Sequence, residues 1–211
     1  AILGALTSTN TAQAIAIADK KEIPVIASVA TNDQLTAKRE FANRVCFTDS
    51  FQGEVVANFA KVQGYKTAVV VVDQAQVYSL GLAKAFEQAF KKNGGGIVKK
   101  IKVTSGDKDF KAVVSQIKET NPDFMFLPLY HPEASMIARQ SKQLGLEKPM
   151  FSGDGVANQT FIDLGGDSVN GYMFTDFFDS TNPPSQTSAD FVAFHEKETG
   201  NKEMNSFTAL G

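Results

Sequence analysis

Residues Thr67–Val72 read TAVVVV. The stretch is apolar and β-branched along its whole length. A strand with one face in water alternates apolar and polar residues instead. Both faces of this strand must therefore be covered, which is the habit of parallel sheets wrapped by helices on two sides.

The neighbouring segments supply those helices. Upstream, Phe51–Val62 has the period of an amphipathic helix, and downstream Leu80–Lys92 repeats Ala and Phe at helical spacing. The pattern then alternates. Strands are expected at Ile97–Val103, Phe124–Leu129, Pro149–Ser152 and Gly171–Phe174, and helices at Asp109–Glu119, Glu133–Leu144 and Ser188–Glu198. Before Phe51 come a short strand in Ile2–Leu6, a helix over Asn10–Lys20 and a strand at Pro24–Ala27. Strands separated by helical segments of this length imply βαβ units and an α/β fold. Two such sheets are expected. The irregular stretch Arg39–Ser50 lacks helical period and is read as a crossing between them. Asp176–Ser188, with two prolines and many polar residues, reads as a linker. The SGDKD run before Asp109–Glu119 is read as helix-capping sequence.

Composition excludes several functions. The chain has 211 residues, with 43% hydrophobic and 21% charged residues and a net charge of -2. That balance implies no basic face, so no nucleic-acid partner is expected. No apolar run approaches the ~20 residues of a membrane span. The single cysteine, Cys46, and the two distant histidines, His131 and His195, leave no metal cluster to expect. No cofactor is expected either. NGGG at Asn93–Gly96 follows a helix and precedes a strand, the wrong order for a phosphate loop, and reads as a helix end and turn. No G-x-S-x-G elbow occurs, and the acidic residues are scattered. The chain opens directly on a strand and ends on SFTALG, the first turns of a helix, so it is read as processed or incomplete.

Ligands of open parallel sheets bind beyond the carboxyl ends of the strands. The groups at those ends are TSTNT (Thr7–Thr11), SVATN (Ser28–Asn32), DQAQVYSLG (Asp73–Gly81), YHPE (Tyr130–Glu133) and SGDGVAN (Ser152–Asn158). Ser8 and Thr31 each follow an apolar strand. Their hydroxyls suit helix capping, or an anion held beside helix N–H groups. Asp154 suits a turn, or an anion set at a cleft wall for a ligand cation. Tyr78 and Tyr130 suit rim packing, or closure over a ligand. His131, directly before Pro132, suits a helix start.

These segments resemble a family. TSTNTAQAIAIADKKEIPVIASVATNDQLT (7–36) is similar to the first-lobe segment of the solute-binding proteins of ABC importers, branched-chain amino-acid type. FTDSFQGEVVANF (47–59), VVVVDQAQVYSLGLAKAF (69–86), GDKDFKAVVSQIKETNPDFMFLPLYHPEA (106–134), ARQSKQLGL (138–146), FSGDGVAN (151–158) and GGDSVNGYMFT (165–175) follow in the family's order. The resemblance implies a two-lobe periplasmic-binding-protein type I fold: residues 1–48 in the first lobe, 49–178 in the second and 179–211 returning toward the first. It implies a non-enzymatic binder of an amino acid in the cleft, a permease as partner, and a periplasmic or extracellular place, peripheral to the membrane, with or without a lipid anchor. A ligand-sensing receptor or regulator of the same fold is the alternative. By position, Ser8 and Thr31 match the carboxylate-binding residues, with Ala30 beside them. The backbone near Val29 matches the carbonyl that takes the ammonium. Asp154 matches an acidic residue, often Glu, that pairs with the ammonium, and is one methylene shorter than Glu. Tyr78 and Tyr130 match aromatics that cover the ligand. In the family, further first-lobe chain precedes the position of Ala1 and follows that of Gly211.

Overall fold

The computed structural model describes residues 1–201 and 204–210. Two parallel sheets form among them. The first has strands β1 (Ile2–Leu3), β2 (Val25–Ala27) and β3 (Ala42–Arg44), in that order. Helix α1 (Ser8–Ala18) connects β1 to β2. The second sheet holds β4 (Thr67–Asp73), β5 (Gly96–Val103), β6 (Phe124–Phe126), β7 (Met150–Ser152) and β8 (Met173–Phe174), ordered β5-β4-β6-β7-β8. Its connections carry α3 (Val77–Lys92), α4 (Lys111–Thr120), α5 (His131–Gln143) and the short α6 (Gln159–Gly165). Helix α2 (Asp49–Val62) joins the two sheets. After β8 come α7 (Gln186–Thr199) and α8 (Ser206–Leu210). Gly211, the last residue of the expected terminal helix, lies outside the described residues.

The TAVVVV strand is covered on both faces, as its composition demands. Val69 and Val71 face a core shared with Val114 and Ile117 of α4 and Ile137 of α5. Ala68, Val70 and Val72 face the opposite core, shared with Val56 and Ala57 of α2 and Leu82 and Phe86 of α3. Residues at period two thus feed two separate cores. The first sheet has a smaller core built on Ile15, Val25, Ala27 and Leu35.

Three local expectations change. The irregular stretch before Ser50 contains β3, which pairs in parallel with β2 through Val25↔Ala42 and Ala27↔Arg44. Three residues are too few to display a period. The SGDKD run does not cap its helix. Asp107 accepts from the backbone N–H of Thr104 at 2.9 Å and ties the loop, Asp109 accepts from the N–H of Lys111, the first residue of α4, at 3.1 Å, and the N-cap itself is Phe110, so α4 starts two residues late. Helix α6 has no counterpart among the expected elements. Asn158 caps it by accepting from the N–H of Phe161.

The α2–α3 contact sets the position of everything on α2. A Cβ placed on Gly53 would lie 2.5 Å from the backbone N of Phe86 and 2.8 Å from the carbonyl carbon of Ala85. Backbone atoms cannot yield as a flexible side chain can. Gly53→Ala is therefore expected to destabilise the chain by about 2 kcal/mol or more, overpacking outweighing the ~1 kcal/mol helix-propensity gain. Urea unfolding of the variant checks this, and unchanged stability contradicts the close helix approach.

Candidate functional site

The carboxyl ends of strands from both sheets meet at one cavity of about 490 Å³. That size is typical of a small-molecule site. Ser8, Val29, Thr31, Tyr78, Tyr130 and Asp154 all line it. Ala30 does not. It is buried in the first core, and its carbonyl accepts from Arg44 Nη1 at 3.2 Å.

Neighbours perform the capping for which Ser8 and Thr31 are equally suited by sequence. Thr7 is the N-cap of α1, its side chain accepting from the N–H of Asn10 at 3.3 Å. Asn32 caps the short 3-10 helix Asp33–Leu35, accepting from the N–H of Gln34 at 3.0 Å. Ser8 is instead 1% exposed in the first turn of α1, and its Oγ accepts from the N–H of Asn32 at 3.3 Å. The carbonyl of Thr31 accepts from the N–H of Asp49 at 2.9 Å, which fixes the Thr31 backbone. The first turn of α1 holds no acidic residue. A helix N-terminus without its own acid favours an incoming anion.

Asp154 sits across the cavity at the start of a 3-10 turn after β7, and is 4% exposed. Its Oδ1 accepts from Gln52 Nε2 at 2.8 Å. Burial pushes its carboxyl up to about 7, against the lowering pull of the Gln52 hydrogen bond. The buried Asp49, whose Oδ2 accepts from Asn32 Nδ2 at 3.2 Å, is pushed to about 8, again by burial first. The ion pairs Arg39–Asp19 and Lys100–Glu87 involve neither carboxylate. No Lys or Arg lines the cavity among the described residues. Burying a carboxylate without a cation is costly, so a cationic ligand group is the natural complement of Asp154.

Tyr78 and Tyr130 stack with ring centroids 5.0 Å apart. The Tyr78 hydroxyl accepts from the N–H of Gly155 at 3.1 Å, and burial raises the phenol well above its ordinary value. His131 starts α5, and its Nδ1 meets Asn158 Nδ2 at 3.2 Å; burial lowers its pKa. Leu6 and Phe207 add apolar lining. Hydrogen bonds tie the sheets at one edge of the site. The Thr9 hydroxyl donates to Gln76 Oε1 at 2.9 Å and accepts from the N–H of Val77, while Asn32 Nδ2 donates to the Val77 carbonyl. Sequence reasoning misses Gln52. Its one signal is a polar residue on the apolar face of α2, in line with Gly53 and Val56.

The arrangement suits a ligand with two opposite ends. Hydroxyls and a helix N-terminus lie on the first-sheet side, the carboxylates of Asp154 and Glu133 on the second-sheet side, the latter accepting from the N–H of Gly106, with apolar and aromatic walls between them.

A family model described as periplasmic binding protein matches residues 1–211. A Leu/Ile/Val/Thr-binding protein of Salmonella typhimurium is 33% identical over 175 residues, covering 82% of this chain and 48% of that protein. The solved structure of a leucine-binding protein, LivK, from Thermotoga maritima superposes with a TM-score of 0.95 at 35% identity, covering 100% of this chain and 60% of that one. The branched-chain amino-acid substrate-binding protein LivJ of Streptococcus pneumoniae, solved in complex with isoleucine, gives a TM-score of 0.89 at 31% identity, covering 99% and 59%. The chain thus spans about half to three-fifths of the length of these relatives. By its sequence over all 211 residues and by its two parallel sheets, the chain belongs to the periplasmic binding protein family.

Proposed function

We propose that this chain captures a free amino acid, branched-chain or other aliphatic, for delivery to an ABC importer, and does no catalysis. The observation that carries the reading is Asp154, a buried carboxylate without a cationic partner among the described residues, facing Ser8 and Thr31 across the cavity. An α-amino acid is a zwitterion and needs donors at one end and an anion at the other. In this reading Ser8 and Thr31 take the carboxylate, the Val29 carbonyl and Asp154 take the ammonium, and Tyr78 and Tyr130 cover the ligand. Leu6, Val29 and Phe207 offer the apolar wall for an aliphatic side chain. The names of the relatives, which include leucine, isoleucine and valine, support the same ligand class.

Residues 1–48 then belong to one lobe and 49–178 to the other, with 179–211 leading back. A ligand held from both lobes favours their closed arrangement, because it makes its full set of contacts only there. The partner is a permease, and the place is periplasmic or extracellular. No helix among the described residues is long and apolar enough to cross a membrane. A thermal-shift panel of free amino acids tests the function. Ligand binding stabilises the native state by about 2.7 kcal/mol at one hundred times Kd. Leu, Ile or Val are expected to raise Tm by several degrees, and 4-methylpentanoate, which lacks the ammonium, is not. Equal shifts with both would remove Asp154 from the role assigned to it.

A further inference from the structure

We propose that Gln52 is a positioning residue that aims the Asp154 carboxylate at the ligand ammonium. The proposal rests on the reading of Asp154 as the ammonium acceptor. Gln52 is fully buried, at 0% exposure, on the inner face of α2. Its Nε2 donates to Asp154 Oδ1 at 2.8 Å, and its Oε1 accepts from the backbone N–H of Asp154 at 3.0 Å. A backbone N–H can only donate, so the orientation of the amide is fixed by its partner. The Thr175 hydroxyl, arriving from beyond β8, also donates to Oε1 at 2.6 Å. One amide therefore grips the main chain and the side chain of the same aspartate. The carboxylate is held before ligand arrives, and little ordering cost remains at binding.

The backbone is shaped for this grip. A Cβ on Gly153 would lie 2.8 Å from Gln52 Oε1 and 2.6 Å from the Tyr78 hydroxyl, so a side chain there would push both groups out of their present positions. Helix α2 also reaches the other end of the site. One turn before Gln52, the N–H of Asp49 donates to the Thr31 carbonyl at 2.9 Å. The first turn of α2 thus holds Thr31 by its backbone and Asp154 by its carboxylate, and sets the spacing between the two ends of the ligand.

The test uses Gln52→Met, which keeps length and removes both hydrogen bonds, and the milder Thr175→Val. L-leucine and 4-methylpentanoate are titrated by calorimetry into each chain. Gln52→Met is expected to lose roughly tenfold or more of leucine affinity and little affinity for the deaminated acid, so the preference for the ammonium collapses; Thr175→Val moves the same way by less. A purely structural role lowers both ligands by one factor, and that result, or an unchanged preference, overturns the proposal. A second readout needs no ligand. The ¹³C-detected titration of the Asp154 carboxyl is expected to move to higher pH in Gln52→Met, because a hydrogen bond to the charged form is lost. An unmoved midpoint overturns the clamp itself. Wild-type chain showing no preference for leucine over the deaminated acid, with a midpoint that does move in the variant, instead overturns the reading of Asp154.

Discussion

Asp154→Asn is expected to lower the affinity for leucine by roughly 30-fold or more while leaving the ligand-free fold intact. The substitution keeps the shape of the side chain and an oxygen able to accept from Gln52 Nε2, so the clamp survives. It removes the charge. Truncating one partner of a buried charge pair costs about 2–5 kcal/mol, largely because the other charge is left without compensation. Here the abandoned charge is the ligand ammonium. Without ligand the same substitution relieves a cost, since burial already disfavours the charged aspartate. Affinity and ligand-free stability are thus expected to move apart, affinity falling while Tm at pH 8 holds or rises. Calorimetric titration together with a melting curve checks both. Affinity of the wild-type order in the variant would contradict the assignment.

The second large effect is on pH. Asp154 and Asp49 are raised from 3.8 to about 7 and about 8, with burial the leading cause in each. A carboxyl raised in the folded state keeps its proton after the unfolded chain has released it. Stability therefore falls as pH rises from the unfolded value through the folded one. Ligand-free Tm is expected to decline between pH 6.5 and 8. This window lies above the ordinary value of His131, whose lowered pKa acts in the opposite sense below 6.5. It also lies below the raised thiol of Cys46, at about 11. Leucine affinity is expected to run the other way, rising over the same window as Asp154 becomes charged. Asp49→Asn and Asp154→Asn each flatten the Tm decline. A wild-type Tm that is level or climbs across this range contradicts the burial of these acids.

Much of the fold is legible in the sequence because it is written in local patterns. The TAVVVV strand announces two cores, and both exist. The alternation of apolar runs and helical periods places most elements of the second sheet within a few residues. Short elements are not legible. Strand β3 owes its existence to pairing with β2, a tertiary event that three residues cannot signal. Helix α6 is seven residues long and rests on the Asn158 cap and the packing of Phe161.

The candidate site divides in the same way. The rule that parallel sheets bind ligands beyond their carboxyl ends points to Ser8, Thr31, Tyr78, Tyr130 and Asp154, the family resemblance adds Val29 and Ala30, and all but Ala30 line one cavity. Ser8 and Thr31 are ambiguous in sequence, since a hydroxyl after a strand serves a cap or a ligand equally well. The geometry gives the caps to Thr7 and Asn32. Gln52 is hidden for a different reason. It meets Asp154 across 102 residues of sequence, and no local pattern joins positions so far apart. The only trace is a polar side chain where α2 should be apolar.

Crystals of this chain grown with L-isoleucine would show directly where and in which sense the amino acid binds. One molecule is expected in the cavity between the sheets, its carboxylate within hydrogen-bond distance of Ser8 and Thr31 and its ammonium on Asp154. An isoleucine bound in the reverse sense, or seated elsewhere with this cavity empty, would contradict the assignment of Ser8, Thr31 and Asp154.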